Sequence, residues 1–253
     1  MKMNEFLKQI ASDKRKLGKE LNKDDYYLML KYTGINKDQS LVNDIEEFYQ
    51  NFLENLNNSL VRHVIRKTGE KENTTHYIGF YVDKRANYTE AYKVYFPVKY
   101  EYMISALKTI FSYLIRNSIE SVVKFHVKAT NENIVIRFYH KEDVLPFINY
   151  CNNNFILDDL LEDTNPFIAT IYRIGVVEDD NTINSYNGTL SMLLEEYINF
   201  LDERNALDKI NELQFLDYII EREKIEENEI IKFNLHAIEK NIKAILTRTN
   251  PLD

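Results

Sequence analysis

Three segments in the middle of the chain place lysine, arginine, histidine and tyrosine at every second position. In the first, Lys93, Tyr95, Pro97 and Lys99 alternate with Val94, Phe96 and Val98. In the second, Lys124, His126 and Lys128 alternate with Val123, Phe125 and Val127. In the third, Val135, Arg137 and Tyr139 alternate with Ile134, Ile136 and Phe138. Successive side chains of a strand point to opposite faces. If the apolar faces pack on the same helices, the others combine into one surface holding Lys93, Tyr95, Lys124, His126, Lys128, Arg137 and Tyr139. Arginine supplies a rigid donor fork, lysine a compact charge, and tyrosine and histidine exchangeable protons, a set suited to phosphate or another oxyanion. Crowded cations disfavour one another's protonation, so Lys124 or Lys128 is expected to be partly neutral and usable as a general base.

The plainer reading of the same pattern is the water-facing side of an antiparallel sheet. Two features favour function. No acid interrupts these polar faces, whereas a face selected for solubility usually mixes signs. From Lys93 to Arg137 there are seven bases against three acids, a local excess of +4 in a chain of net charge -8.

The elements that must position these residues are legible from periodicity. Residues 1–70 read as helices: Tyr27 and Leu30 belong to a short one ending near Thr33-Gly34. Leu41, Ile45, Phe48, Phe52, Leu56, Leu60 and Val64 belong to a long one. From His76 the period becomes two, predicting strands over Tyr77–Val82 and Tyr92–Val98. Met103, Leu107, Ile110, Phe111 and Leu114 mark a helix. Val122–Lys128 and Asn133–Tyr139 follow as a hairpin turning at Thr130–Glu132. A helix over 142–151 is weakened by Pro146. An acidic connection from Leu157 to Thr164 leads to Asn165-Pro166, which opens an extended segment through Val177, broken at Gly175. Helices then run over 188–203, 206–223 and 228–247.

The fold expected is α+β, a small antiparallel-rich sheet in the middle third flanked by N- and C-terminal helices. The organisation expected is a helical region 1–75, a core 76–204, and C-terminal helices 205–253 packing on that core. With 253 residues, 44% hydrophobic and 28% charged, the chain can bury a sizeable core. It has no apolar run of signal-peptide or membrane-spanning length, so a cytoplasmic protein without membrane contact is expected. Its acidity argues against nucleic acid. The single Cys151 excludes an internal disulfide and reads as a small hydrophobe. His63 and His236 read as helical residues without a second ligand at metal spacing, so no metal is expected. Asp158, Asp159, Glu162 and Asp163, and the run Glu178-Asp179-Asp180, read as solvated acidic loops. There is no glycine-rich phosphate loop and no nucleophile elbow.

The strand, helix, lysine-bearing strand, hairpin partner and helix are followed by three short motifs. These are Asn165-Pro166-Phe167, Gly175-Val176-Val177-Glu178-Asp179 and Ser185-Tyr186-Asn187-Gly188. Over about residues 90–200 this order resembles the Hop-type family of type III effectors. It also resembles the related stand-alone lyases of lanthipeptide and thioamitide biosynthesis, which are similar in fold to phosphothreonine lyases. The resemblance implies a phosphothreonine-lyase-like fold and β-elimination of phosphate from phosphoserine or phosphothreonine, leaving a dehydroamino acid, with no cofactor. It implies that Lys93 binds phosphate, Tyr95 holds the position of the acid and Lys124 is the base, with Arg137 and Arg173 as further phosphate ligands. The implied partners are a phosphorylated peptide or protein and a separate kinase or other modification enzyme.

The sequence departs from the family pattern at three places. Tyr95 stands where the lyases have histidine, although His126 can approach from the neighbouring strand. The family's Arg-x-Asp appears as Asn131-Glu132-Asn133, and the arginine after its Ser-Phe-Gly is replaced by Leu190. The reading is therefore a carbon–oxygen lyase with Lys124 as base, His126 or Tyr95 as acid, and Lys93, Lys128 and Arg137 as the phosphate cradle. A catalytically silent peptide-binding subunit of a modification complex would carry the same pattern.

Overall fold

The computed structural model describes residues 1–17, 21–33, 61–67, 76–82, 91–126, 130–155, 157, 161–179 and 185–253. Their elements are, in chain order, α1 (Met3–Leu17), α2 (Lys23–Tyr32), β1 (Val61–Lys67), β2 (His76–Val82), β3 (Ala91–Phe96), α3 (Met103–Arg116), β4 (Ser121–His126), β5 (Ile134–Phe138), α4 (Lys141–Asn154), β6 (Thr170–Ile171), β7 (Ile174–Asp179), α5 (Tyr186–Glu203), α6 (Glu212–Ile225) and α7 (Glu229–Thr247). This is the α+β architecture the periodicity predicts. The chain divides into two compact units: 1–33, 165–170 and 177–253 in one, 34–164 and 171–176 in the other.

The sheet unit is built on five strands in the order β1-β2-β4-β5-β3, with every neighbouring pair antiparallel. Strands β7 and β6 extend that order beyond β3. One face is mainly apolar: Val94, Phe96, Val123, Phe125, Ile134, Ile136 and Phe138 are all completely buried. Helix α3 buries Leu107, Ile110, Phe111 and Leu114, and α4 buries Val144, Phe147, Ile148 and Cys151. The rings of Phe138 and Phe147, 5.1 Å apart, join β5 to α4. Pro146 does not end α4. It sits on the exposed side, where its missing N–H removes one helix bond without opening the buried face.

The helical unit packs around a run of rings. Phe6 meets Phe167 edge-on at 5.6 Å, Phe167 meets Phe215 at 5.6 Å, and Phe215 meets Tyr197 at 5.1 Å. Such pairs add about 0.5–1.5 kcal/mol each beyond area burial. Asparagine, abundant in this chain, starts its helices: Asn22, Asn211 and Asn228 accept from backbone N–H groups of α2, α6 and α7. Ser185 does the same for α5 through the Gly188 N–H.

Three expectations are corrected here. Residues 61–67, including Val64 and His63, form strand β1 rather than the end of a helix, so the region 1–75 is not wholly helical. The remainder of that long helix, Leu41–Leu60, lies outside the described residues. Thr170–Val177 is a hairpin, not one extended segment, and its turn residues Tyr172 and Arg173 have φ of 50° and 67°. Left-handed turns normally call for Asn-Gly, so Tyr-Arg gave no signal. The helix expected from 206 begins at Glu212, after a short 3-10 turn over Leu207–Lys209.

Candidate functional site

Strand register decides which side chains share the second face of the sheet. Lys93 is directly opposite Arg137, which is opposite Val122. In the next row Tyr95 is opposite Val135, which is opposite Lys124. Directly opposed residues have Cβ atoms roughly 5 Å apart, and successive rows on one face are about 7 Å apart along the strand. Beyond the second row, the His126 N–H donates to Asn133 O at 2.8 Å. Lys93, Tyr95, Lys124, His126 and Arg137 therefore occupy one face of three adjacent strands.

The face is bounded at both ends. Tyr139 and Ala91 form a small buried cluster with Val122, the β4 member of the Lys93–Arg137 row. At the other end Asn133 donates from its side-chain amide to Val98 O and accepts from Val98 N–H at 2.9 Å. On β2, Gly79 is the register partner of Lys124.

This face is not a wet sheet surface. His126 is 1% exposed, Tyr95 3% and Lys93 7%, while Lys124 and Arg137 are half-buried. Partial burial weakens solvent screening and strengthens the field of the cations on an anion that reaches them. Of the other residues singled out in the sequence, Lys128 lies outside the described residues, as do Asp158, Asp159 and Asp180. Arg173 sits at the β6–β7 turn, 3.3 Å from the exposed Asp163 carboxylate. Cys151 is fully buried, and burial pushes its thiol well above the ordinary range, which removes it as a nucleophile. The acidic run at Glu178-Asp179 is not a solvated loop: it ends β7, with Asp179 buried and Glu178 paired to Lys240 at 2.9 Å.

The motif residues behind the family resemblance are occupied in holding the helical unit together. Asn165 accepts from Phe167 N–H and donates to Asn187 Oδ1, both at 3.0 Å. Tyr186 Oη donates to Phe167 O at 2.7 Å, and Asn241 accepts from Ala169 N–H at 2.7 Å. Every one of these groups is buried.

Sequence reasoning also missed a second cluster. His236, on α7, has Glu223 and Glu239 beside it, with one ligand-capable atom of each residue within 4.8 Å of the others. Periodicity could have placed His236 and Glu239 on one helix face, but Glu223 comes from α6 and needed the tertiary fold. Further along α5 and α6 runs a groove of about 700 Å³ whose lining includes Phe200, Leu201, Tyr218, Ile225, Arg204 and Arg222.

Fold and face together define an α+β protein whose central antiparallel sheet turns one side to hydrophobic helices and gathers cations on the other. The chain is similar to two solved structures of bacterial effector proteins. The effector protein from Pseudomonas syringae pv. tomato strain DC3000 aligns over 92% of this chain and 92% of its own, with a TM-score of 0.61 and 9% identity. The effector protein from Pseudomonas syringae pv. syringae strain 61 aligns over 86% of this chain and 92% of its own, with a TM-score of 0.59 and 10% identity. No protein-family model and no curated protein matches the sequence. Identity this low establishes a shared fold alone. The effector part of the resemblance thus has a structural counterpart, while the lyase part rests on the motif residues. Among the described residues, no helix is long and apolar enough to cross a membrane.

Proposed function

We propose that this protein acts on phosphorylated serine or threonine in a peptide or protein, eliminating phosphate to leave a dehydroamino acid. The observation that supports the reading is the paired register of Lys93 with Arg137, one row from Tyr95 and Lys124 on the same partly buried face. A dianionic phosphate between Lys93 and Arg137 would put the substrate's α-carbon toward the second row. There Lys124 Nζ takes the α-proton, the C–H electron pair becomes the Cα–Cβ double bond, and the Cβ–O bond breaks with its electrons going to phosphate. His126 or Tyr95 supplies a proton to the departing phosphate, and the cations stabilise the charge that develops on it. Lys128 is assigned to the cradle from its alternation with Lys124 and His126, and Arg173 from the family resemblance. No cofactor enters this chemistry. A separate kinase would supply the substrate, and the buried thiol of Cys151 suits a cytoplasmic setting.

The test is incubation with phosphoserine and phosphothreonine peptides, followed by mass spectrometry for loss of phosphoric acid. The dehydro product is expected with native protein and not with Lys124→Ala. Intact phosphopeptide after long incubation with stoichiometric native protein would remove the enzymatic reading.

A second reading, a silent subunit that binds a peptide, is favoured by the groove on α5 and α6 with its partly exposed Phe200 and Ile225. Aromatic and aliphatic anchors beside arginine are common at peptide interfaces. Under this reading Lys124→Arg leaves binding intact. Under the first it abolishes turnover.

A further inference from the structure

The hairpin of α6 and α7 carries a side-chain cluster that the sheet face does not account for. Glu223 lies in the last turn of α6, while His236 and Glu239, three residues apart, share one face of α7. His236 Nδ1 is 3.3 Å from a Glu223 carboxylate oxygen. One carboxylate oxygen of Glu223 and one of Glu239 lie within 4.8 Å of each other and of a His236 ring nitrogen. The Glu223 and Glu239 side chains are only 20% and 13% exposed, whereas His236 is 63% exposed. Lys243, one turn beyond Glu239, is paired with Glu239 Oε1.

We propose that Glu223, His236 and Glu239 bind a divalent transition metal of the zinc class that clamps α6 to α7. One imidazole and two carboxylates are a donor set zinc accepts, with bonds of about 2.0–2.2 Å. Around a tetrahedral ion with such bonds, neighbouring donor atoms stand about 3.3 Å apart. His236 and Glu223 already have that separation, and Glu239 offers a ligand atom within 4.8 Å of both. Exposure of His236 leaves the fourth position to water. The imidazole disfavours magnesium and calcium, which prefer oxygen donors throughout. Lys243 is placed to orient the Glu239 carboxylate, as groups hydrogen-bonded to metal ligands do.

Tag-free protein is titrated calorimetrically with zinc chloride near neutral pH, beside His236→Ala, Glu223→Gln and Lys243→Met, each checked for native helix content by circular dichroism. The expected result is one zinc per chain and an affinity at least about tenfold weaker in each of the three variants. Zinc should also raise the melting temperature of the native protein but not of His236→Ala. Cobalt substituted for zinc should give the visible absorption of a four-coordinate ion. The proposal is overturned by absent or non-stoichiometric uptake, by equal affinity in His236→Ala and Glu223→Gln, or by magnesium binding as tightly as zinc.

Discussion

The side chain of Asn133 pairs with both peptide groups of Val98, standing in for a neighbouring strand where β3 passes beyond its last partnered residue, Phe96. Both residues are buried, and only an amide offers a donor and an acceptor in that spacing. The contact keeps the end of β3 in line with β5, and so fixes the rows in which Lys93 and Tyr95 face Arg137 and Val135.

Asn133→Ala should therefore lower stability by about 1–3 kcal/mol, because it strands the buried Val98 carbonyl, while the Val98 N–H keeps its bond to Phe96 O. Asn133→Asp should cost a similar amount, since a carboxylate cannot donate to Val98 O. Urea unfolding monitors both, and a shift in midpoint no larger than that of a surface substitution would show the clamp to be dispensable.

The opposed Lys93 and Arg137 should make the sheet unit respond to anions. Inorganic phosphate is expected to raise the melting temperature of the native protein, in proportion to the logarithm of its concentration above Kd. Lys93→Ala and Arg137→Ala should each weaken that response by about tenfold or more in the phosphate required, as loss of a charge-assisted contact does. Chloride at matched ionic strength is the control, and equal stabilisation by both salts would count against a specific anion site.

Much of the sheet was legible because its two faces obey a strict period of two. Lys93, Tyr95, Lys124, His126 and Arg137 were assigned to one face from alternation alone, and the register places them there. Alternation carries no information about cover, however, so it could not tell a wet face from one where His126 is 1% exposed. It failed at Val61–Lys67 because Val64 continued a three-four spacing begun at Leu41, and the β-branched Val61, Val64 and Ile65 were outvoted. The roles of Asn133, Asn165 and Asn187 were hidden for a different reason. A buried asparagine looks like a loop residue until its partner, far away in sequence, is known.

Two tyrosines of the helical unit should respond oppositely to loss of their hydroxyls. Tyr186 Oη donates to the buried Phe167 carbonyl, so Tyr186→Phe should cost about 1–3 kcal/mol. The buried Tyr197 hydroxyl has no hydrogen-bond partner among the described residues. Tyr197→Phe should be neutral or stabilising by up to about 1 kcal/mol. Chemical denaturation of the two variants side by side checks this, and the prediction fails if they move together.

Alkali should destabilise the helical unit through the same residues. Burial, assisted by Asp217, pushes Tyr197 up to about 12. Burial together with Glu196 does the same for Tyr218, also to about 12, and burial raises Tyr26 and Tyr186 further still. In the unfolded chain a tyrosine ionises near the ordinary value of about 10. Between these values the unfolded state loses protons that the folded state keeps. The stabilisation is thus fully present below pH about 10 and declines as pH rises toward about 12. The melting temperature should fall steeply across that window, with a second rise in tyrosinate absorbance, from the buried tyrosines, in step with unfolding. Tyr197→Phe and Tyr218→Phe should each flatten the slope, because phenylalanine has no proton to lose in either state. Slopes unchanged in both variants would mean that these hydroxyls ionise in the folded protein as they do in water.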